Sequence, residues 1–327
     1  MKFIKPTICA SLTLAVSMMV HATDSKQWPA KSINLVIGFS AGGPTDTAAR
    51  ILAREMSKDL GQPVVVDNRP GASGTVAEKY FVNQSADGYN LMMLVVPTVF
   101  KRIFDKEHLS LNEQIDPVAR VYSHHNVLVV NPNYPGMKDV KNTKDLIEFA
   151  KNNKHGVSFT SAGSGSIGHL AGQQMAYMAK IDLQHISYKG AAPALNDTLS
   201  GHLPMMFGDY TTLLQHIETG KIRAIAVASS ERLPKLESTP TLMEQGFEGL
   251  TAVPWGGIVV KAGTDEKIKK KIQDSLKKIL SDKEVQAKIS DAGLLVNFAP
   301  ANTWKEQINK DFKYWKNVVD ANGIRAE

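Results

Sequence analysis

Apolar positions along this 327-residue chain recur with two periods, every second residue in short runs and every third or fourth in longer ones, and the two kinds of run take turns. Short β-rich apolar runs mark strands, and the wider spacing marks helices with one buried face. Ile33 to Phe39 is β-rich, the Gly-rich turn Ser40 to Asp46 follows, and a helix runs to about Leu60. Val64 to Val66, a turn at Asn68 to Gly71, a helix near Thr75 to Gln84 and the strand Leu91 to Val96 complete a βαβαβ unit. That order predicts parallel strands joined by right-handed crossovers.

A second unit repeats the plan. Helix Thr143 to Lys151, strand Val157 to Thr160, a second Gly-rich turn, helix His169 to Ala179 and strand Leu183 to Tyr188 come first. Helix Ala192 to Leu199, strand Pro204 to Phe207, helix Leu213 to Thr219 and strand Ile222 to Ala228 follow. Beyond Trp255 to Val260 two amphipathic helices close the chain, one carrying Ile268, Ile272, Leu276 and Ile279, the other Trp304, Ile308, Phe312 and Trp315. Their apolar stripes need a sheet, so they are expected to return to the first unit. The fold class expected is α/β with two domains, residues 23–126 plus 254–327 and residues 127–253. Val127 to Val130 and Trp255 to Val260 are the expected hinge crossings of a clam that closes on a ligand.

Composition adds a compartment and removes several chemistries. Lys2 and Lys5, the apolar run Ile8 to Val20 and the small residues Val20 and Ala22 read as a signal peptide spanning residues 1–22, cleaved after Ala22 and directing the rest to the periplasm. The single cysteine, Cys9, lies inside that run, so the exported chain has no thiol for disulfides, zinc or nucleophilic attack. Cleavage removes Lys2 and Lys5 and lowers the net charge of +6 to +4. The densest basic cluster, Lys267 to Lys271 with Lys277 and Lys278, has no interleaved aromatics and reads as a solvated helix face, so no nucleic-acid partner is expected. His124 and His125 lack further ligands at metal-binding spacing, and no metal or cofactor is expected.

The two Gly-rich turns carry the candidate chemistry. "GFSAGGPTDTAARIL" and "TSAGSGSIGHLAGQQM" each run from a strand end into a helix start. Each therefore offers backbone N–H groups, backed by a helix dipole, at the carboxyl edge of a sheet, which suits a small carboxylate. Gly163, Gly165 and Gly168 also match the G-x-G-x-x-G spacing of a dinucleotide turn, but the following strand ends in Ser187-Tyr188-Lys189, without the acid that would hold a ribose. Ser166 misses the nucleophile elbow because Ser164 stands where glycine is required. A secreted serine hydrolase using Ser166, with His169 or another histidine as base, is the alternative in a different class.

The stretches "GFSAGGPTDTAARILA", "LGQPVVVDNRPGASG", "DGYNLMML", "SAGSGSIGHLAG", "ISYKGAAPAL", "GKIRAIAVASSERLPKL" and "PTLMEQGF" resemble the Bug family, the TctC-like periplasmic solute receptors of tripartite tricarboxylate transporters. The resemblance covers essentially all of the exported chain in the same order. It implies the type II periplasmic-binding-protein fold and a monomer that captures a small organic acid between its domains, through backbone amides of both turns aided by ordered waters. Carried onto this sequence, the first turn offers Phe39, Ser40, Ala41, Gly43, Thr45 and Asp46, and the second Ser161, Ala162, Gly163, Ser166 and His169. Two places depart from the family's pattern: Gly208-Asp209 replaces an Asp-Asn pair, and a loop reading Val96-Pro97-Thr98 replaces a small Gly/Ser-rich turn. Thr98 and Asp209 therefore join the candidates as positions that choose the ligand.

Each candidate has a plainer reading beside it. Asp46 serves either a ligand or its own helix as a cap. His169 is either a ligand contact or a packed imidazole, and Trp255 lines the cleft or packs at the hinge. Asp46 and Asp209 are the only charged side chains expected near the cleft, and if both face it an amine or polyhydroxy ligand is favoured over a tricarboxylate. The implied partner is a membrane transporter or, in a third class of function, a membrane sensor that reads the closed form.

Overall fold

The computed structural model describes residues 28–71, 74–104 and 113–324. The expected signal peptide, residues 1–22, lies outside them. The first part of the chain forms β1 (Ile33–Ile37), α1 (Pro44–Leu60), β2 (Val64–Asn68), α2 (Thr75–Val82), β3 (Asn90–Val95), α3 (Val96–Phe104) and β4 (Ile115–Ser123). The middle forms β5 (Asn126–Val130), α4 (Thr143–Asn152), β6 (Val157–Thr160), α5 (Ile167–Ala179), β7 (Leu183–Ile186), α6 (Ala191–Leu199), β8 (Met205–Asp209), α7 (Tyr210–Glu218) and β9 (Arg223–Val227). The last part forms β10 (Trp255–Lys261), α8 (Glu266–Ser281), α9 (Lys283–Asp291), β11 (Leu295–Pro300) and α10 (Ala301–Asn322).

Two sheets result, in strand order β11-β4-β10-β3-β1-β2 and β7-β6-β8-β5-β9. β1 pairs in parallel with β2 and β3, and β6 in parallel with β7 and β8, as the repeated βαβ pattern predicts. The remaining pairings are antiparallel. Side chains alternate across a strand, so Ile33, Leu35 and Ile37 pack among Leu52, Met56, Ile272 and Leu276, while Val36 faces the opposite core with Phe81 and Phe100. That opposite core continues into the second sheet, because α10 packs on α3 and also on α5. Trp304, Ile308 and Trp315 belong to it, as do Phe159 and Met175.

The expected hinge crossings are corrected. Val127 to Val130 belongs to β5, hydrogen-bonded on both edges to β8 and β9, and Trp255 to Val260 belongs to β10, between β3 and β4. Apolar, β-branched runs of this kind bury both faces and satisfy their backbone in two ladders, which makes them central strands rather than pivots. The chain instead crosses at His124 and His125, between β4 and β5, and again just before β10. The two crossings touch, since the His124 amide donates to the Pro254 carbonyl at 3.0 Å.

Three further differences have local causes. Val96-Pro97-Thr98 is the first turn of α3 rather than a loop, where the missing N–H of a proline costs nothing. β4 contains Pro117, tolerated because the register slips beside its partner Val259. The C-terminal region adds α9 and β11 to the two expected helices; Asp282 ends α8 and caps α9 by accepting from the amides of Glu284 and Val285.

Candidate functional site

β1 lies between β2 and β3, and β6 between β7 and β8, so the crossover leaving each goes to one side and the next one returns past it to the other. Such switch points open a crevice at the carboxyl ends of the strands. Both Gly-rich turns stand there. The helix starts behind them leave the amides of Thr45 and Asp46 on α1, and of Ile167 and Gly168 on α5, without intrahelical acceptors.

The first turn is locked by one carboxylate. Asp46 Oδ2 accepts from the Gly42 amide at 3.0 Å and from Arg50 Nε at 2.9 Å, and Asp46 Oδ1 accepts from Asn68 Nδ2 at 2.9 Å. Burial alone raises the pKa of this carboxyl, but Arg50, Asn68 and Gly42 outweigh it and hold Asp46 below its ordinary value. Asp46 is thereby turned inward.

The second turn is locked by hydroxyls and imidazoles. Ser166 caps α5, its Oγ accepting from the His169 amide at 3.2 Å. The amides of Gly163, Ser164 and Gly165 donate to Ser161 Oγ, Ser187 Oγ and His169 Nδ1. Burial depresses His169 to about 4, and burial together with His169 depresses His185 to about 3. Both rings are therefore neutral at pH 7. The dinucleotide-like glycine spacing has a packing origin here. A side chain at Gly163, whose φ is +132°, would lie 2.7 Å from the Tyr188 carbonyl, and one at Gly168 would lie 2.6 Å from that of Phe207.

Between the turns lies a cleft of about 940 Å³. Phe39, Ser40, Thr45, Ala162, Gly163, Ser166 and Asp209 line it. Ala41 and Gly43 stand outside its wall, and Asp46, Thr98, Ser161 and His169 are buried behind it. Trp255 both lines the cleft and packs at the crossing, with its indole N–H donating to Asp311 Oδ2 at 2.8 Å and its ring edge-on to Trp304.

Several lining residues were not singled out from the sequence. Lys101 and Lys189 are among the residues of the wall and Asp46 is not, so Asp46 and Asp209 are not the charged pair of the cleft. Lys189 was open to detection because it follows the carboxyl end of β7, where α/β ligands gather. Lys101 lies on α3 and donates to Thr75 Oγ1 at 2.9 Å. Tyr122 and His124 come from the end of β4 and stack at 6.0 Å. The Tyr122 hydroxyl, raised in pKa by burial, donates to Thr45 Oγ1 at 3.3 Å. His124 Nε2 meets Asp209 Oδ1 at 2.8 Å, so the acid of the cleft already has a partner across the crossing. Ser166 makes its side-chain bonds to Ser161 and to the His169 amide, not to an imidazole base.

Residues 48–324 match the pattern of TctC, the tripartite tricarboxylate transporter family receptor. The chain is 29% identical to the protein BugT of Bordetella pertussis over 317 residues, 96% of each chain. Its fold superposes on R. palustris Rpa4515, solved with adipate, with a TM-score of 0.84 at 26% identity, covering 92% of this chain and 100% of that one. MatC of Rhodopseudomonas palustris, solved with bound malate, gives a TM-score of 0.79 at 26% identity over 89% of this chain and 100% of that one. With the family pattern running through both sheets and the cleft between them, the chain belongs to the TctC, or Bug-type, family of periplasmic solute-binding receptors of tripartite tricarboxylate transporters.

Proposed function

We propose that this receptor captures a small dicarboxylate in the cleft between its two sheets and presents it to a membrane transporter. The observation that carries the reading is the charge of the wall: Lys101, which also donates to Thr75, and Lys189 line the cleft, and its carboxylate, Asp209, is paired with His124. One ligand carboxylate meets the helix starts at Thr45 and Ile167, and the other lies toward the lysines. The malate and adipate held by the two structural relatives are acids of this class. A volume of about 940 Å³ lies within the usual range for small-molecule clefts and leaves room for bridging waters. Residues 23–126 with 254–327 form one lobe and residues 127–253 the other. They close about the paired crossings, and the exported chain, released by cleavage after Ala22, works as a monomer without turnover.

The test is thermal melting of the refolded, ligand-stripped protein against malate, adipate, tricarboxylates, amino acids and NAD. A ligand at a hundredfold its Kd adds about 2.7 kcal/mol, which raises the midpoint by roughly 5 °C or more. A shift with dicarboxylates alone supports the reading. A flat response to every acid, or a shift with NAD alone, overturns it.

A further inference from the structure

A chain of hydrogen bonds begins on a buried imidazole and ends on a residue of the cleft. His185 Nε2 is 2.8 Å from Ser161 Oγ, and Ser161 Oγ is 2.9 Å from Ser166 Oγ. Ser166 lines the cleft, whereas Ser161 and His185 are only 0% and 5% exposed and stand behind it. We infer that His185 is a positioning residue that, through Ser161, makes Ser166 a hydrogen-bond donor to the cleft by holding its own proton on Nε2. The inference rests on the carboxylate reading above for the choice between the two tautomers.

A serine hydroxyl has one proton and two acceptor positions. Ser161 Oγ already accepts from the Gly163 amide at 3.2 Å, and Ser166 Oγ from the His169 amide at 3.2 Å. When His185 carries its proton on Nε2, it fills the second acceptor position of Ser161. Ser161 can then receive nothing from Ser166. Its own proton goes to Ser166 or to the Gly163 carbonyl, 3.2 Å away. Either way the Ser166 proton has only the cleft left to serve, and a carboxylate oxygen is the acceptor that fits it. The opposite tautomer reverses the chain: Ser161 donates to Nε2, accepts from Ser166, and leaves Ser166 a lone pair that asks for a ligand O–H or N–H. One buried ring thus sorts acceptor ligands from donor ligands without touching either.

The surroundings of the ring keep it in this role. Burial and the neighbouring His169 hold His185 at about 3, so it is neutral and must adopt one tautomer or the other. His169 stacks on it with ring centroids 4.1 Å apart, and its own Nδ1 is occupied by the Gly165 amide. Phe159 covers another side at 5.0 Å.

The first readout needs no ligand. Two-bond ¹H–¹⁵N correlation of the histidine-labelled wild-type chain is expected to show His185 as the Nε2–H tautomer, and an Nδ1–H signature overturns the proposal. The second is affinity for malate and adipate. His185→Gln keeps an N–H near the Nε2 position and is expected to bind within about threefold of wild type. His185→Phe frees an acceptor position on Ser161 for the Ser166 proton and is expected to lose about ten- to a hundredfold, the worth of a hydrogen bond to a charged group, whereas Ser161→Ala removes that competing acceptor and is expected to stay within about threefold of wild type. Equal affinities for the Gln and Phe variants overturn the relay, and so does a large loss on Ser161→Ala alone, a result that stands should the Phe ring disturb folding. A wild-type protein with the Nε2–H signature that binds neither acid refutes the carboxylate reading and still supports Ser166 as a donor.

Discussion

The turn after β1 and the turn after β6 look alike in sequence, sit at equivalent switch points and face the same cleft, yet they are held by different chemistry. The first is organised around a charge: Asp46 gathers Gly42, Arg50 and Asn68. The second is organised around neutral groups, with Ser161, Ser166, His169 and His185 bonded in series. An ionised clamp keeps its shape until its carboxylate is protonated. A neutral imidazole clamp keeps its shape until its rings are forced to charge. The same loop geometry therefore fails in two different pH windows.

Gly168→Ala gives the largest expected effect on this pair. The new methyl would stand 2.6 Å from the Phe207 carbonyl, a backbone atom that cannot swing aside, so α5 must lift from β8. A loss of about 3 kcal/mol is expected in urea unfolding at pH 7. Gly42→Ala in the first turn meets open space and is limited to the strain of its φ of +90°.

The acid response separates the turns next. His185 is depressed from 6.5 to about 3, so the unfolded chain takes up its proton first as pH falls. Its contribution is complete above pH 6.5 and is lost progressively from there toward pH 3. Between pH 6.5 and 5 the loss is on the order of 2 kcal/mol. His185→Gln should flatten this part of a stability-against-pH curve, and an unchanged slope would show that the ring is not the titrating group.

Asp46→Asn gives the smallest effect and the complementary one. Asp46 is held below its ordinary value of 3.8, so its stabilisation is present above that pH and lost as pH falls through the lower folded value. Weakening the acceptor for Gly42 and Asn68 costs about 1 kcal/mol at pH 7. Unfolding curves of the variant and wild type should converge only once pH has fallen through that lower folded value. Persisting separation there would mean that Asp46 holds the turn by shape and not by charge.

Much of the architecture was legible before any coordinates. β-rich runs alternating with amphipathic stretches located β1 to β3 and β6 to β9, because each of those runs meets one sheet and one helix layer. β4 escaped notice because Asp116-Pro117 reads as a turn, and only a register slip on a neighbouring strand permits the proline there. The hinge was misplaced for a related reason. Strand composition at Val127 to Val130 was visible, but which residues pivot depends on which strands flank it. In the site, seven of the candidate residues reach the cleft wall, and only the fold shows Lys101, Lys189, Tyr122 and His124 to be part of that wall.

The sequence by itself determined the two repeated α/β units, the two Gly-rich helix starts and the family, since these depend on periodicity and local backbone demands carried by neighbouring residues. Tertiary structure alone decided that Asp46 turns inward, that His124 joins Asp209 across the crossing, and that His185 stands behind Ser166. Those outcomes rest on contacts between residues as many as 85 positions apart, and no local pattern specifies which distant partner a polar side chain will meet.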